Sequence, residues 1–259
     1  FDETYYVKDS WSQWVLGYPS AWPENADASF VAGDTDIFTG VGSYVVHPPL
    51  GRILIGAGMA LLGPDSATGW RLSAVVFGTA TVLLVYLLAH NLTRSITFAT
   101  VASGLIAIDG LSIVLSRTSL LDVFLTFFIV LAFWFVALDH KRTGDRLDAA
   151  MDERPGVNTW GPLLWDRPWL LAAGAAAGAA TAVKWSGLYL IAAIGIYVVV
   201  TDALARRRVG IVQWPMDAVR QGLISFVLIV PVSLVVYLTS WSGWLFTTGG
   251  YMRSSEALG

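Results

Sequence analysis

The sequence predicts an all-α, polytopic membrane protein. Three observations carry this: 55% of the 259 residues are hydrophobic against 14% charged, the mean hydropathy is +0.62, and several uncharged runs are long enough to cross a bilayer. A hydrocarbon core of about 30 Å takes roughly 20 apolar residues per helix, and residues 221–252 contain no charge at all. A net charge of −3 gives no basic signature for nucleic acid, so no nucleic-acid partner is expected. The tryptophans and tyrosines fit belts at the two membrane interfaces. With no cysteine, no disulfide, thiol nucleophile or Cys-based metal site can be drawn, and the redox compartment stays open. The chain opens on Phe1 with no signal peptide or apolar anchor, and is expected to lack a first span and to be truncated at both ends.

Residues 1 to about 46 are polar, rich in Trp, Asp, Gly and Ser and without lasting periodicity, which predicts a loop or interfacial segment. His47, Pro48 and Pro49 then break the chain, and residues 53–62 are apolar but too short to cross, which suits a re-entrant or interfacial helix. Six spans follow at about 70–90, 96–116, 119–139, 168–184, 186–204 and 221–240. The fourth is rich in small residues from Gly174 to Ala180, which let helix backbones approach where lipid supplies no drive between helices. Pro231 is expected to kink the sixth. The organisation is thus an extracytoplasmic loop (1–69), a transmembrane bundle (70–240) with a cytoplasmic loop about 140–167, and the start of a further extracytoplasmic loop (241–259).

Orientation follows from the cations. Arg94, Lys141, Arg142, Arg146, Arg154, Arg167, Arg206, Arg207, Arg208 and Arg220, 10 of the 16, fall in one set of loops and are cytoplasmic by the positive-inside rule. Arg206, Arg207 and Arg208 read as a topology and headgroup signal rather than a binding site. The opening loop, the Pro-Pro turn and the tail from Trp241 then face outward.

Arg71, Arg117 and Lys184 each fall at the outer end of a span, where that bias disfavours them, so something anionic is expected there. The structural alternative for each is snorkelling to headgroups. At the same level lie Asp2 and Glu3, Asp109 near the outer end of the second span, and Asp122 one turn into the third. Carboxylates at membrane depth are functional candidates, although Asp109 and Asp122 could equally be structural partners of Arg117 or Lys184, and Asp2 and Glu3 a solvated loop. One histidine before two prolines is weak ground for a metal, and no His-based metal site is expected. Asn91, Leu92 and Thr93 match a glycosylation acceptor that the topology puts in a short cytoplasmic loop.

The ordered series Phe1-Asp2-Glu3; His47-Pro48-Pro49-Leu50-Gly51-Arg52; Trp70-Arg71-Leu72; Asp109-Gly110; Ser116-Arg117 through Leu121-Asp122; and Lys184-Trp185-Ser186-Gly187 resembles the protein O-mannosyltransferase family, its bacterial members in particular. Arg52 stands where the family usually has lysine, and the sequence is expected to stop short of the family's carboxy-terminal spans. The resemblance implies a GT-C membrane fold that moves mannose from a polyprenyl (dolichyl-type) phosphate mannose donor to Ser or Thr of secreted or membrane proteins, inverting the anomeric centre. The acceptor would be met at the secretion translocon.

By family match Asp2 is the base and Glu3 positions acceptor or base, since an attacking hydroxyl needs a carboxylate in reach. Arg71, Arg117 and Lys184 would hold the donor phosphate as its charge develops, with His47, Arg52, Asp109 and Asp122 in support. A divalent cation is left open, because paired Asp2 and Glu3 could bind one weakly through oxygen. The location implied is a bacterial cell membrane with an extracytoplasmic site, or the endoplasmic reticulum membrane if the source is eukaryotic. Rivals are another GT-C transferase, for aminoarabinose, arabinose or oligosaccharide, and a transporter component, whose ionisable residues should line a midplane path.

Overall fold

Hydrophobic length sets the frame of this computed structural model, which describes residues 2–253, apart from the Asp2 side chain. Four helices are long and apolar enough to cross a membrane: α4 (Ala67–Thr93), α7 (Asp122–Asp152), α9 (Gly187–Arg208) and α10 (Trp214–Ser240). A fifth span is broken into α5 (Ile96–Ile108) and α6 (Gly110–Ser116), bent by 64°. The break is local chemistry. Asp109 leaves the helical region (φ −66°, ψ 126°) and its carboxylate accepts the Ser112 N–H at 2.8 Å, capping α6.

Helix α8 (Pro168–Val183) fills the fourth predicted place but has only 16 residues, about 24 Å at 1.5 Å per residue. Its alanines and glycines are almost all buried, and it packs between α7, α9 and α10 in one core with Ala132, Leu170, Ala177, Ile194 and Ile229. Gly174 and Gly178 sit against the backbone of Ile229 and Ser233 of α10, so the small-residue stripe is a close helix–helix seam. Helices therefore occupy all six predicted places, with four or five of them meeting the length expected of a span. Helix α7 also continues through residues 140–152, so only 153–167 of the expected inner loop is non-helical.

The opening segment corrects the expectation of an aperiodic loop. It folds as α1 (Asp2–Leu16) and α2 (Ala26–Val31), followed by α3 (Leu50–Leu62) in the place of the expected short helix. Helix α1 lacks an apolar stripe because the face it buries is polar: Asp9, Ser10, Ser12 and Gln13 are all at most 5% exposed. Ser10 Oγ donates to the Tyr6 carbonyl (2.6 Å), whereas Asp9 Oδ2 is buried with no hydrogen-bond partner among the described residues. Ser12 Oγ accepts the Ser20 N–H (3.0 Å), and Gln13 Nε2 donates to the Pro49 carbonyl (3.3 Å). A second core of Val7, Phe30, Ile55, Met59, Leu121 and Phe124 joins these helices to α4 and α7. The last helix, α11 (Ser242–Phe246), follows α10 directly.

Candidate active site

At one end of the bundle α1, packed against α3, reaches α4 and the short turn before α7 through Glu3. Arg71, in the first turns of α4, donates from Nε and Nη2 to both oxygens of Glu3, each at 2.8 Å. The Ser119 N–H adds a third bond to Glu3 at 3.1 Å, and Ser119 Oγ donates to the Trp70 carbonyl at 2.6 Å. The Arg71 fork holds the Glu3 carboxyl below its usual range; burial opposes this and the Ser119 N–H assists it. Glu3 is thus an anion clamped between two elements far away in sequence.

Three residues further along the same turn, Asp122 opens α7 and accepts from Lys184 Nζ at 2.7 Å. Lys184 ends α8 in an extended conformation (φ −144°, ψ 142°). The chain then turns back so tightly that a Cβ on Gly187 would lie 2.3 Å from the Thr181 nitrogen. Only glycine fits that approach, which explains the spacing of Lys184-Trp185-Ser186-Gly187: the glycine lets the chain reverse while the lysine stays at the helix end.

His47 lies near Lys184, Asp122 and Arg52. Its ring stacks on Tyr6 of α1 with centroids 6.4 Å apart and planes at 24°. Burial depresses its pKa first, then the positive charges of Lys184 and Arg52, with Asp122 pulling the other way. The ring is therefore neutral at pH 7. Arg52 departs from its expected place as an outer-loop cation: it is 1% exposed, donating from Nε to Gln13 Oε1 (2.9 Å) and from Nη2 to the His47 carbonyl (2.7 Å). It fixes the His-Pro-Pro turn from beneath and presents no charge outward. Gly51 admits the turn against the core, since a Cβ there would lie 2.6 Å from Leu121 Cδ2.

Arg117 is exposed and has no ion pair among the described residues. Asp109 is not brought to this cluster; it caps α6 on an exposed bend. Asp2 begins α1 immediately before Glu3, and its side chain lies outside the described residues. Among the described residues no three His, Cys, Asp or Glu side chains come together as a metal-ligand set.

Two cavities adjoin the cluster. One of about 360 Å³ runs between α8, α9 and α10, lined by Trp185, Leu188, Ile191, Leu234 and Tyr237 and almost wholly apolar. The other, of about 270 Å³, is lined by Val45, His47, Arg52, Trp185, Trp241 and Trp244.

Sequence reasoning missed the buried charges. Asp9 is 4% exposed, and burial pushes its carboxyl up to about 6, against the lowering effects of Arg52, Tyr5 and Lys8. At the opposite end Arg167 is enclosed by Asp139, Asp202 (2.7 Å) and Ser225 (3.0 Å). Arg206, expected as a headgroup cation, is 0% exposed and bound to Asp217 (2.8 Å) and Gln221 (3.0 Å). Arg94, Lys141 and Arg208 border one cleft. A signal existed for Asp9: positions 2, 6, 9 and 13 form one helical stripe, once the segment is known to be a helix.

Carboxylates and cations thus cluster at one end of a helical bundle with four or five apolar spans, beside an apolar groove. The family described as dolichyl-phosphate-mannose-protein mannosyltransferase matches residues 65–247. A polyprenol-phosphate-mannose–protein mannosyltransferase of Corynebacterium glutamicum is 31% identical over the whole of this chain and 48% of its own length. One from Mycolicibacterium smegmatis is 43% identical over 63% of this chain and 32% of its own length. The Saccharomyces cerevisiae protein O-mannosyltransferase Pmt1-Pmt2 complex, solved with its sugar donor, superposes with a TM-score of 0.67 at 19% identity, covering 96% of this chain and 31% of the other. The chain belongs to the protein O-mannosyltransferase family, in its bacterial form, and has the GT-C fold. It spans between about a third and a half of the length of these curated relatives.

Proposed function

We propose that the protein containing this chain transfers mannose from a polyprenyl (dolichyl-type) phosphate mannose to Ser or Thr hydroxyls of secreted or membrane proteins. Transfer inverts the anomeric centre and takes place on the extracytoplasmic face. The observation that carries this reading is the gathering of Glu3, Arg71, Asp122, Lys184 and His47 at one end of the bundle, from five separate stretches of chain. The cation-rich loops at the other end support the orientation, with residues 2–69 and 241–253 forming the outer layer over the bundle of 70–240.

Asp2 takes the proton of the acceptor hydroxyl as its oxygen bonds to the sugar C1. The C1–O bond to phosphate breaks, and its electron pair leaves on the lipid phosphate. Glu3 holds Arg71 and the Ser119 turn in register with the base. Arg117, free of a carboxylate, meets the phosphate directly, while Lys184 exchanges Asp122 for it as negative charge develops. Neutral His47 is a hydrogen-bonding group rather than a further charge. The groove at Trp185 and Tyr237 starts beside Lys184 and is apolar enough to take the first isoprene units of the donor. A divalent cation at Asp2 and Glu3 would need Glu3 to leave the Arg71 fork. The acceptor reaches the site while still extended, as it would on emerging from a translocon.

The test is radiolabelled mannose transfer from polyprenyl phosphate mannose to a Thr-containing peptide, in membranes carrying the full-length protein. Asp2→Asn abolishes transfer with the protein still folded; wild-type turnover by that variant removes Asp2 from the mechanism.

A further inference from the structure

At the end of the bundle away from Glu3, a cleft of about 610 Å³ opens between α4, α7 and α9. Helix α7 packs against both of the others and gives the cleft Lys141, Asp145 and Asp148, while Arg94 closes it from α4 and Arg208 from α9. Two of the charges there are already matched: Arg208 holds Asp148 at 2.7 Å, and Asp202, also on the cleft, is held by Arg167 at 2.7 Å. Among the described residues, the side chains of Arg94, Lys141 and Asp145 have no hydrogen bond or ion pair. His140 borders the cleft with its ring edge-on to Tyr197, and Asn91, a further wall residue, has a buried Nδ2 with no acceptor.

The cations share one depth. At 1.5 Å per residue, Arg94 is about 34 Å along α4 from Arg71, Lys141 about 28 Å along α7 from Asp122, and Arg208 about 31 Å along α9 from Gly187. A hydrocarbon core is about 30 Å thick, so all three fall at the phosphate level of the leaflet opposite the Glu3 cluster. Leu92 and Leu204 line the cleft while 65% and 56% exposed, an apolar rim suited to acyl chains. Arg94 ends α4 in the left-handed region (φ 58°), where glycine is the usual residue. That helix end therefore carries backbone strain together with an unpaired guanidinium.

We propose that this cleft is a binding site for one phosphatidylethanolamine of that leaflet, its phosphate between Arg94 and Lys141 and its ammonium on Asp145. The unmatched charges are those such a headgroup answers: cations for a phosphate, a carboxylate for an amine. Lys141 and Asp145 are one helical turn apart, about 6 Å of rise, a separation that a two-carbon ethanolamine linker spans. A choline headgroup offers Asp145 no N–H, and a glycerol headgroup offers it no positive charge. An ester oxygen of the lipid supplies the acceptor that Asn91 Nδ2 lacks. The bound lipid ties together the ends of α4, α7 and α9, whatever sugar chemistry the other end performs. The competing occupant is another segment of the full-length protein.

The test titrates the detergent-purified full-length protein with dioleoyl phosphatidylethanolamine, phosphatidylglycerol or phosphatidylcholine and counts bound lipids by native mass spectrometry. One phosphatidylethanolamine binds about tenfold more tightly than either comparator, the scale of a hydrogen bond to a charged group. Arg94→Gln combined with Lys141→Gln removes the tight binding, and Asp145→Asn removes the preference over phosphatidylglycerol. All three side chains are exposed, so these variants keep the parental melting temperature when no lipid is added. Glycerophosphoethanolamine, the same headgroup without acyl chains, fails to displace the lipid at equal concentration, which separates a membrane lipid from a soluble phosphodiester. A photoreactive side chain at Leu204 cross-links to the added lipid. Equal affinity for the three lipids, displacement by the soluble headgroup, unchanged binding in the variants, or cross-linking from Leu204 to the protein's own chain overturns the proposal.

Discussion

Arg71 and Glu3 lie 68 residues apart in sequence and form a two-pronged ion pair, Nε and Nη2 each 2.8 Å from a different carboxylate oxygen. The pair fixes α1 to α4 at the point where the candidate base enters. Its side chains are 42% and 20% exposed, so its value is geometric more than energetic. In the full-length protein Glu3→Gln lowers kcat for mannosyl transfer by about tenfold or more, at the low end of what positioned acid–base groups contribute. Arg71→Lys is nearly as damaging, because an ammonium supplies no fork. Parental kcat in Arg71→Lys would detach the fork from catalysis.

Lys184 and Asp122 pair at 2.7 Å beside the apolar groove. If the lysine transfers its charge to the donor phosphate, Lys184→Met raises the donor KM about tenfold, or ~1.4 kcal/mol. Asp122→Asn changes it by less than about threefold, since the lysine remains. Donor titrations with both variants decide this; an unmoved KM in Lys184→Met leaves the phosphate to Arg117.

Two carboxyls of α1 respond to pH in opposite senses. Burial raises Asp9 from 3.8 to about 6, so its contribution to stability is complete below 3.8 and is lost as pH rises through about 6. Glu3 is lowered from 4.5, chiefly by Arg71, so its contribution is present above 4.5 and lost on further acidification. Asp9→Asn cannot ionise, and its thermal midpoint in detergent should vary less between pH 4 and 7 than that of the parent. Identical pH slopes for the two proteins would contradict the burial argument.

Arg167 is 2% exposed and holds two buried carboxylates, Asp139 and Asp202. Arg167→Met strands both, and breaking a buried pair costs about 3–5 kcal/mol. Thermal unfolding of that variant should occur well below the parent, and the triple change Arg167→Met, Asp139→Leu, Asp202→Leu should recover most of the loss. A single variant as stable as the parent would show the network to be dispensable.

A Cβ on Gly178 would lie 2.5 Å from the Ser233 oxygen and 2.7 Å from its Cα, both backbone atoms of α10. Gly178→Ala must separate α8 from α10, at about 1–3 kcal/mol. Gly104, where a Cβ meets nothing within 4 Å, is the control site, and comparable melting of Gly178→Ala and Gly104→Ala would show the seam to be loose.

The places of α4, α7, α8, α9 and α10 could be read from the sequence because each is an uninterrupted apolar run, and hydropathy is additive along a chain. The α5–α6 break was hidden inside such a run: Asp109 was visible, but whether it caps a new helix or faces a cation depends on backbone angles that composition does not carry. Helix α1 was invisible for a related reason, since its buried face holds Asp9, Ser10, Ser12 and Gln13, and no apolar period marks a polar interface. Of the site, the residue types were legible through their family spacing and their level in the membrane. Their partners were not, as Arg52 shows by facing inward to Gln13 and the His47 carbonyl.

Sequence alone determined that this is a helical membrane protein with cation-rich loops on one side, and which residues resemble those of a mannosyltransferase. Both follow from local properties, the free energy of moving each stretch into lipid and the order of short motifs. Only tertiary structure decided that Glu3 closes on Arg71, that Lys184 faces Asp122, and that Arg167 and Arg206 are interior. Such pairings depend on which helix ends meet across the bundle, and an ion pair across 62 residues of chain, like that of Lys184 with Asp122, leaves no local trace.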